Sequence, residues 1–331
     1  MQADTSLSVP LSVTKKPSPL KRLLLLGAVA LAVIVLFMTV NLHGNLRYIL
    51  VHRGLILATM LLVAFAAGVG TLLFQTVTHN RILTPSIMGL EALFILIQTA
   101  LIFFIDADGF RVMGTVGKFL CETSLLLLFS VMLYRWLLAG RGVDLHKVLL
   151  VGLVFGTLFR SLSGLLQRLL APGEFAVLQG RVFATFTRAA PEIIALSAVI
   201  VVLTAVAIWR LRHLLDVLAL GREAAINLGV PYQQKVMVVL LLVSLLVAVS
   251  TVLVGPMTFL GLLVANLSYQ IVGSHRHQYL LPGAILTGII TLVGGQLVLE
   301  RLLNMAGTLS VVIEFAGGAL FLYLLLGKTT K

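Results

Sequence analysis

The stretch Val236–Val254 reads VMVVLLLVSLLVAVSTVLV and carries no charge. A helix that crosses the hydrocarbon core of a bilayer needs about 20 mostly apolar residues, so this segment is long enough to span. The same kind of run recurs at Leu23–Val40, Leu55–Val77, Ile87–Ile105, Phe119–Leu138, Val148–Leu166, Pro191–Trp209, Phe259–Val272, Leu280–Leu299 and Ala306–Leu326. Together these make ten candidate spans. Phe259–Val272 is short and flanked by glycine, which predicts irregular backbone buried in protein rather than facing lipid.

Composition agrees with the segments. Hydrophobic residues are 60% of the 331 and charged residues 11%, against about 45–50% and about 25% in globular chains. So few charges cannot cover a soluble domain of this size, and the fold class is an all-α membrane protein. The excess of 24 Lys and Arg over 12 Asp and Glu gives a net charge of +12. A nucleic-acid surface would gather that excess into a patch. Here it is scattered between apolar runs, which excludes nucleic acid as a partner and marks loops held on the cytoplasmic side of a lipid membrane. An even number of spans puts both termini on one side. With both termini cytoplasmic, only Arg47, Arg53, Arg111, Lys118, Arg160, Arg168, Arg181, Arg188 and Arg301 fall outside or in outward halves. The single cysteine, Cys121, permits no internal disulfide.

Residues 1–20 form a polar tail with Ser, Thr and Pro, expected to be disordered and cytoplasmic. Residues 21–331 form a single transmembrane domain. Lys21-Arg22 ahead of an apolar run resembles a signal peptide, but no small-x-small site follows Phe37, so the first segment is an uncleaved helix.

The chain lacks the residues of an enzyme. Gly327-Lys328-Thr329 ends like a phosphate-binding loop, yet Leu322 stands where the required glycine would be. His275-x-His277 has no acidic or cysteine partner nearby in sequence, so no metal site is expected. Among ionisable groups in or near the apolar segments, Glu91 and Glu122 lie close to segment ends, while Arg160 and Glu314 lie deeper. Groups at such depth face a bundle interior or water. An ion-coupled secondary transporter would need them; structural pairing or pore lining also accounts for them.

The polar connection Leu220-Gly221-Arg222-Glu223-Ala224-Ala225-Ile226-Asn227-Leu228-Gly229-Val230 predicts a short amphipathic helix, too polar to span. Gly229 followed by Pro231 is a helix stop, and a surface helix of this kind suits docking into a groove on a partner.

Here the sequence resembles a family. Gly221-x-Glu223-x-Ala225-x-x-Leu228-Gly229 is similar to the coupling-helix motif in permeases of the siderophore, haem and vitamin B12 class of ABC importers. Gly255-Pro256-Met257-Thr258-Phe259-Leu260-Gly261-Leu262 is similar to a second motif of that family, G-P-x-x-F-x-G-L-x-x-P-H. Gln75-x-x-x-x-Asn80, then Pro85 and Gly89, is similar to a third. The chain departs from the pattern, among other places, at three motif sites. Ala265-Asn266 replaces the Pro-His pair, Tyr269 replaces an arginine, and Arg81 replaces the proline after Asn80. These departures resemble the branch in which two different permease chains pair, including anguibactin- and petrobactin-type systems.

The resemblance implies a type II ABC importer permease fold like that of the vitamin B12 permease. It implies transport of a ferric siderophore across a bacterial cytoplasmic membrane. The implied partners are a second, different permease chain in a heterodimer, two cytoplasmic ATPase subunits, and a periplasmic or lipid-anchored substrate-binding protein. ATP would be used by the ATPase subunits, with no cofactor bound by this chain. The resemblance also implies that the fifth and tenth helices line the path, and the candidates are on the fifth. There Gly152, Gly156, Ser161, Ser163 and Gly164 are candidates, though helix packing explains small residues equally well. Arg47, Arg53 and Arg301 are candidates for docking the binding protein from outside. A secondary transporter and a non-transporting membrane scaffold are the rival readings.

Overall fold

The computed structural model describes residues 18–40, 45–112, 114–138, 145–187, 189–301 and 307–326, and regular structure among them is entirely helical. In chain order the helices are α1 (Pro19–Thr39), α2 (Leu46–Thr78), α3 (Leu90–Val112), α4 (Thr115–Leu138), α5 (Leu145–Gln167) and α6 (Pro172–Val182). They continue with α7 (Pro191–Leu218), α8 (Arg222–Asn227), α9 (Tyr232–Val254), α10 (Leu260–Val272), α11 (His277–Arg301) and α12 (Leu309–Leu326). Seven of these, α1, α2, α4, α5, α7, α9 and α11, are long and apolar enough to cross a membrane. The apolar parts of α3, α10 and α12 are shorter. Together they account for the ten apolar segments of the sequence. The N-terminal tail expected over 1–20 lies outside the described residues up to 17, and Pro19 already opens α1 at the first helical position, where its missing N–H leaves nothing unsatisfied. Gly327-Lys328-Thr329 also lies outside the described residues.

Helices α2 and α9 form the centre. Neither has a polar face, the pattern of a helix enclosed on all sides, and the buried residues of both fill the main core. The 33 residues of α2 extend about 50 Å at 1.5 Å per residue, well beyond a hydrocarbon core of about 30 Å. Glycine lets its neighbours reach it. A methyl group on Gly288 of α11 would stand 3.0 Å from the Ala64 carbonyl oxygen of α2, and one on Gly68 of α2 would stand 3.1 Å from the Ala284 carbonyl of α11. Gly261 of α10 lies against Thr71 in the same way.

Two segments break the helical pattern inside the bundle. Pro85–Met88 is a single 3-10 turn that ends at Gly89, whose φ of 81° suits glycine. This turn moves the start of α3 to Leu90, three residues later than the apolar run at Ile87. The second break, at Gly255 (φ 104°), separates α9 from α10. With 13 residues, α10 is about 20 Å long, so the linker before it sits within the membrane thickness. As the short segment implies, this irregular backbone is enclosed: the Thr185 N–H donates to the Val254 carbonyl at 2.9 Å, and a methyl on Gly255 would stand 3.1 Å from the Ala184 Cα. The apolar reading of the sequence missed α6, which begins at Pro172 with Glu174 accepting from the Ala171 N–H at 3.0 Å.

Helices α2 and α11 are held at backbone distance, so a branched side chain at Gly288 must force them apart, at a cost of about 1–3 kcal/mol. Gly288→Val is expected to lower the melting temperature of the detergent-purified protein by several degrees. Gly294→Val, on the same helix with open space around it, should change it little. Thermal unfolding followed by intrinsic fluorescence compares the two.

Candidate functional site at the end of the bundle that carries α8

The last turn of α7 leads through Ala219-Leu220-Gly221 into α8. Gly221 turns the chain with φ of 101° and its carbonyl accepts the Ala225 N–H at 3.0 Å. At the other end the Val230 N–H reaches back to the Ala225 carbonyl at 3.0 Å, and the Gly229 N–H to the Ile226 carbonyl at 2.9 Å. With Gly229 at φ 78° this is the paired closure that ends a helix on a left-handed glycine. The helix is six residues long, one turn and a half, shorter than the whole 221–230 stretch.

The faces of α8 are unequal. Ala225 is fully buried in this chain's own core, where α8 packs on α7 and α9. In this chain its side chain is taken up by the bundle, and it is the residue that seats α8 there. Arg222, Glu223, Ile226, Asn227 and Leu228 are exposed. Leu220, Ile226 and Leu228 are 65%, 49% and 62% exposed, an apolar fringe set among charges.

A polar cluster lies behind α8. His277, the first residue of α11, is buried, and its ring Nδ1 lies 2.7 Å from Asp216 Oδ1 on the last turn of α7. The His277 backbone N–H donates to the same oxygen at 2.7 Å. The ring Nε2 lies 2.9 Å from the Thr76 hydroxyl of α2. The acidic partner that His277 lacks in the local sequence thus comes from α7, 61 residues away. No group of metal-binding side chains occurs among the described residues. His79, in the left-handed conformation just past α2 (φ 53°), places its Nε2 2.9 Å from the Leu218 carbonyl.

The three departures from the family pattern meet beside this cluster. The Arg81 guanidinium stacks over the Tyr269 ring at 4.4 Å. The Arg81 carbonyl accepts from the Gln75 amide at 2.7 Å and from the Asn266 amide at 3.4 Å. Asn80 accepts the Ile82 N–H at 2.9 Å, closing the turn. Of the motif residues, Gln75 and Asn80 shape the exit from α2, Pro85 and Gly89 shape the 3-10 turn, and Gly255, Pro256 and Gly261 shape the entry to α10.

Deeper in the bundle, the Glu91 carboxylate accepts from the Ser86 hydroxyl at 2.7 Å and the Thr258 hydroxyl at 2.8 Å, joining both breaks in the helices. Arg160 and Glu314 are exposed on α5 and α12, within electrostatic range of Glu91. Glu122 lies further into its helix than the apolar run suggests. The helix starts at Thr115 rather than Phe119, and the carboxylate is buried beside a cavity shared with Gln98, Lys118 and Arg181.

Two of the small residues on α5 are committed to packing. A methyl on Gly152 would stand 2.9 Å from the Met88 Cα, and one on Gly156 would stand 3.1 Å from the Gly89 Cα. Ser163 is buried and bonds Thr99 at 2.9 Å. These three are in contact with α3 or the 3-10 turn in this structure, whereas Ser161 is exposed and Gly164 faces open space. Arg47 and Arg53 lie on α2 itself rather than in a connection. Arg53 donates to the Phe37 and Val40 carbonyls at 2.6 and 2.7 Å, closing the end of α1. Arg47 is exposed, as is Arg301 at the last position of α11. The Thr76–His277 contact joins the end of α2 to the start of α11, so Arg47 and Arg301 share the end opposite α8.

Seven helices long and apolar enough to cross a membrane, enclosed irregular backbone between them and one short helix seated at the end of the bundle define a multi-pass membrane protein. The chain belongs to the FecCD transport family, whose model matches residues 22–327. It is 44% identical over 305 residues to the petrobactin import system permease protein YclO of Bacillus subtilis, covering 92% of this chain and 96% of that protein. It is 36% identical over 277 residues to the petrobactin import system permease protein FatC of Bacillus anthracis, covering 84% of this chain and 78% of that one. A metal-chelate type ABC transporter solved in an inward-facing conformation shares the fold, with a TM-score of 0.81, 23% identity and coverage of 93% and 99%.

The Arg81–Tyr269 pair has a measurable signature. Stacked cation–π contacts contribute about 0.5–2 kcal/mol. Arg81→Ala and Tyr269→Ala should each lower the melting temperature, and the double variant should lose clearly less than the two losses added. Strict additivity across the four proteins would show the two side chains to be independent.

Proposed function

We propose that this chain is the permease subunit of a ferric-siderophore ABC importer, carrying a petrobactin-type chelate. The observation that carries the reading is the identity to a petrobactin permease over nearly the whole of both chains, and the exposed fringe of α8 supports it. In this reading α8 docks in a groove of a cytoplasmic ATPase subunit, and two such ATPase subunits serve a pair of permease chains. The α8 end is then cytoplasmic, and a substrate-binding protein meets the opposite end. The cargo path runs along the open side of α5, past Ser161 and Gly164, toward Arg160 and Glu314. This chain contributes no hydrolytic chemistry: ATP is consumed by the partner subunits, and iron travels inside its chelator. No observation favours an ion-coupled carrier, since the relatives named above are petrobactin import permeases and a metal-chelate type ABC transporter.

Docking is carried by the outward face of α8. Ile226→Asp and Leu228→Asp are expected to leave the permease inserted at normal levels while the ATPase subunit is lost from co-purification. ATP-dependent uptake of the ferric chelate into proteoliposomes should fall at least about tenfold, because fully seated apolar anchors contribute on the order of 2 kcal/mol. Ala225→Arg should act differently, lowering the yield of inserted permease because it overpacks the chain's own core. Normal co-purification and normal uptake with both Asp variants would overturn the assignment.

Of the three candidates for the opposite end, Arg47 and Arg301 are exposed, whereas Arg53 is engaged with α1. Replacing Arg47 and Arg301 together by Glu should slow association of the binding protein, with the largest effect at low ionic strength. Surface plasmon resonance at two salt concentrations measures it, and equal association rates at low salt would remove Arg47 and Arg301 from the interface.

A further inference from the structure

The end of α7 is gripped from two sides, and the grip lies immediately before α8. Asp216 belongs to α7, yet its carboxylate accepts the backbone N–H of His277, the first residue of α11, at 2.7 Å. It thus caps a helix to which it is not covalently adjacent. The first N–H groups of a helix have no partner inside it, and a carboxylate at that end also meets the positive end of the helix dipole. The His277 ring then links the same carboxylate to Thr76 of α2. From the other side His79, past the end of α2, reaches the Leu218 carbonyl at 2.9 Å. That carbonyl also accepts the Gly221 N–H at 3.1 Å, so His79 holds the atom that forms the turn into α8. Only Ala219, Leu220 and Gly221 separate the gripped residue from α8.

We infer that Asp216, His277 and His79 are positioning residues for coupling: they clasp the root of α8 to α2 and α11, so that displacement of α8 moves the two helices at the core of the bundle. This inference rests on the docking role of α8 proposed above. Without the clasp, the three-residue hinge could yield to a push on α8 while α2 and α11 stayed in place. ATP would then be hydrolysed with less cargo moved.

The test uses the complete importer, with both permease chains, ATPase subunits and binding protein, reconstituted in proteoliposomes. It measures ATP hydrolysed per ferric chelate imported, normalised to inserted complex. Asp216→Ala and His79→Leu each remove one side of the clasp and are expected to raise that ratio about fivefold, the factor that loss of one helix cap places on a two-state equilibrium. His277→Asn keeps a side-chain N–H near the position of Nδ1 but gives up the Nε2 contact with Thr76, so its ratio should fall between those of the unaltered importer and Asp216→Ala; a ratio equal to that of Asp216→Ala would remove the Asp216–His277 side-chain contact from the clasp. If Asp216→Ala fails to assemble, His79→Leu carries the test, because it leaves the α11 cap in place. An unchanged ratio in His79→Leu complexes of normal yield overturns the clasp, and failure of both disruptive variants to assemble assigns these residues to folding alone and overturns it too. Leu228→Asp, run in parallel, separates the two levels. Loss of the ATPase subunit from that variant with normal coupling in the clasp variants leaves the docking role standing and the clasp refuted; retention of the subunit and of uptake refutes both.

Discussion

The close approach of α10 and α11 to α2 governs the rest of the molecule. In lipid, apolar side chains gain little by leaving one apolar surroundings for another, so helices adhere through contact at short range. Gly68, Gly261 and Gly288 remove the side chains that would hold the axes apart, and the facing atoms are carbonyls and the Thr71 side chain. Once α2 is enclosed this way, the irregular stretches beside it gain walls. The 3-10 turn at Pro85–Met88 and the linker at Gly255 can then leave the helical ladder without exposing peptide groups to hydrocarbon. Glu91 completes that arrangement by accepting one hydroxyl from each stretch.

Much of the architecture was legible because spanning helices advertise themselves by length and apolarity. The ten runs correspond to ten helices, and the short run at Phe259–Val272 correctly signalled enclosed irregular backbone. The stretch that forms α8, too, stood out as a polar insert between two glycines. What the sequence concealed were the relations between distant residues. Ala225 in the motif gives no sign of which way it points, and only the packing of α8 on α7 and α9 shows that it faces inward. Asp216 and His277 lie 61 positions apart with no shared motif, so a histidine without a local acid looked idle.

Small residues on α5 show a second limit. Gly152, Gly156, Ser161, Ser163 and Gly164 are alike in type and spacing, yet three are used by the bundle and two face outward. Identity and spacing do not separate them; contact with Met88, Gly89 and Thr99 does. The departures at Arg81, Asn266 and Tyr269 carry the opposite lesson. Read singly they are three losses from a pattern, and in space they are one rearranged contact. Helix α6 escaped notice for a simpler reason: eleven residues of mixed polarity leave no apolar signature.

Helix α1 is fastened at its two ends, by Arg22 to the Ile271 carbonyl at 3.2 Å and by Arg53 to the Phe37 and Val40 carbonyls. The helix it packs on most extensively is α11, more than two hundred residues later in the chain. During synthesis the Arg53 fastening can form as soon as α2 emerges, whereas the Arg22 fastening and the seat on α11 must wait until almost the whole polypeptide has been inserted. Helix α1, made before the other described helices, is therefore docked late, and until then its inner face, with Leu26, Ala30 and Phe37, is turned to lipid or to the insertion machinery.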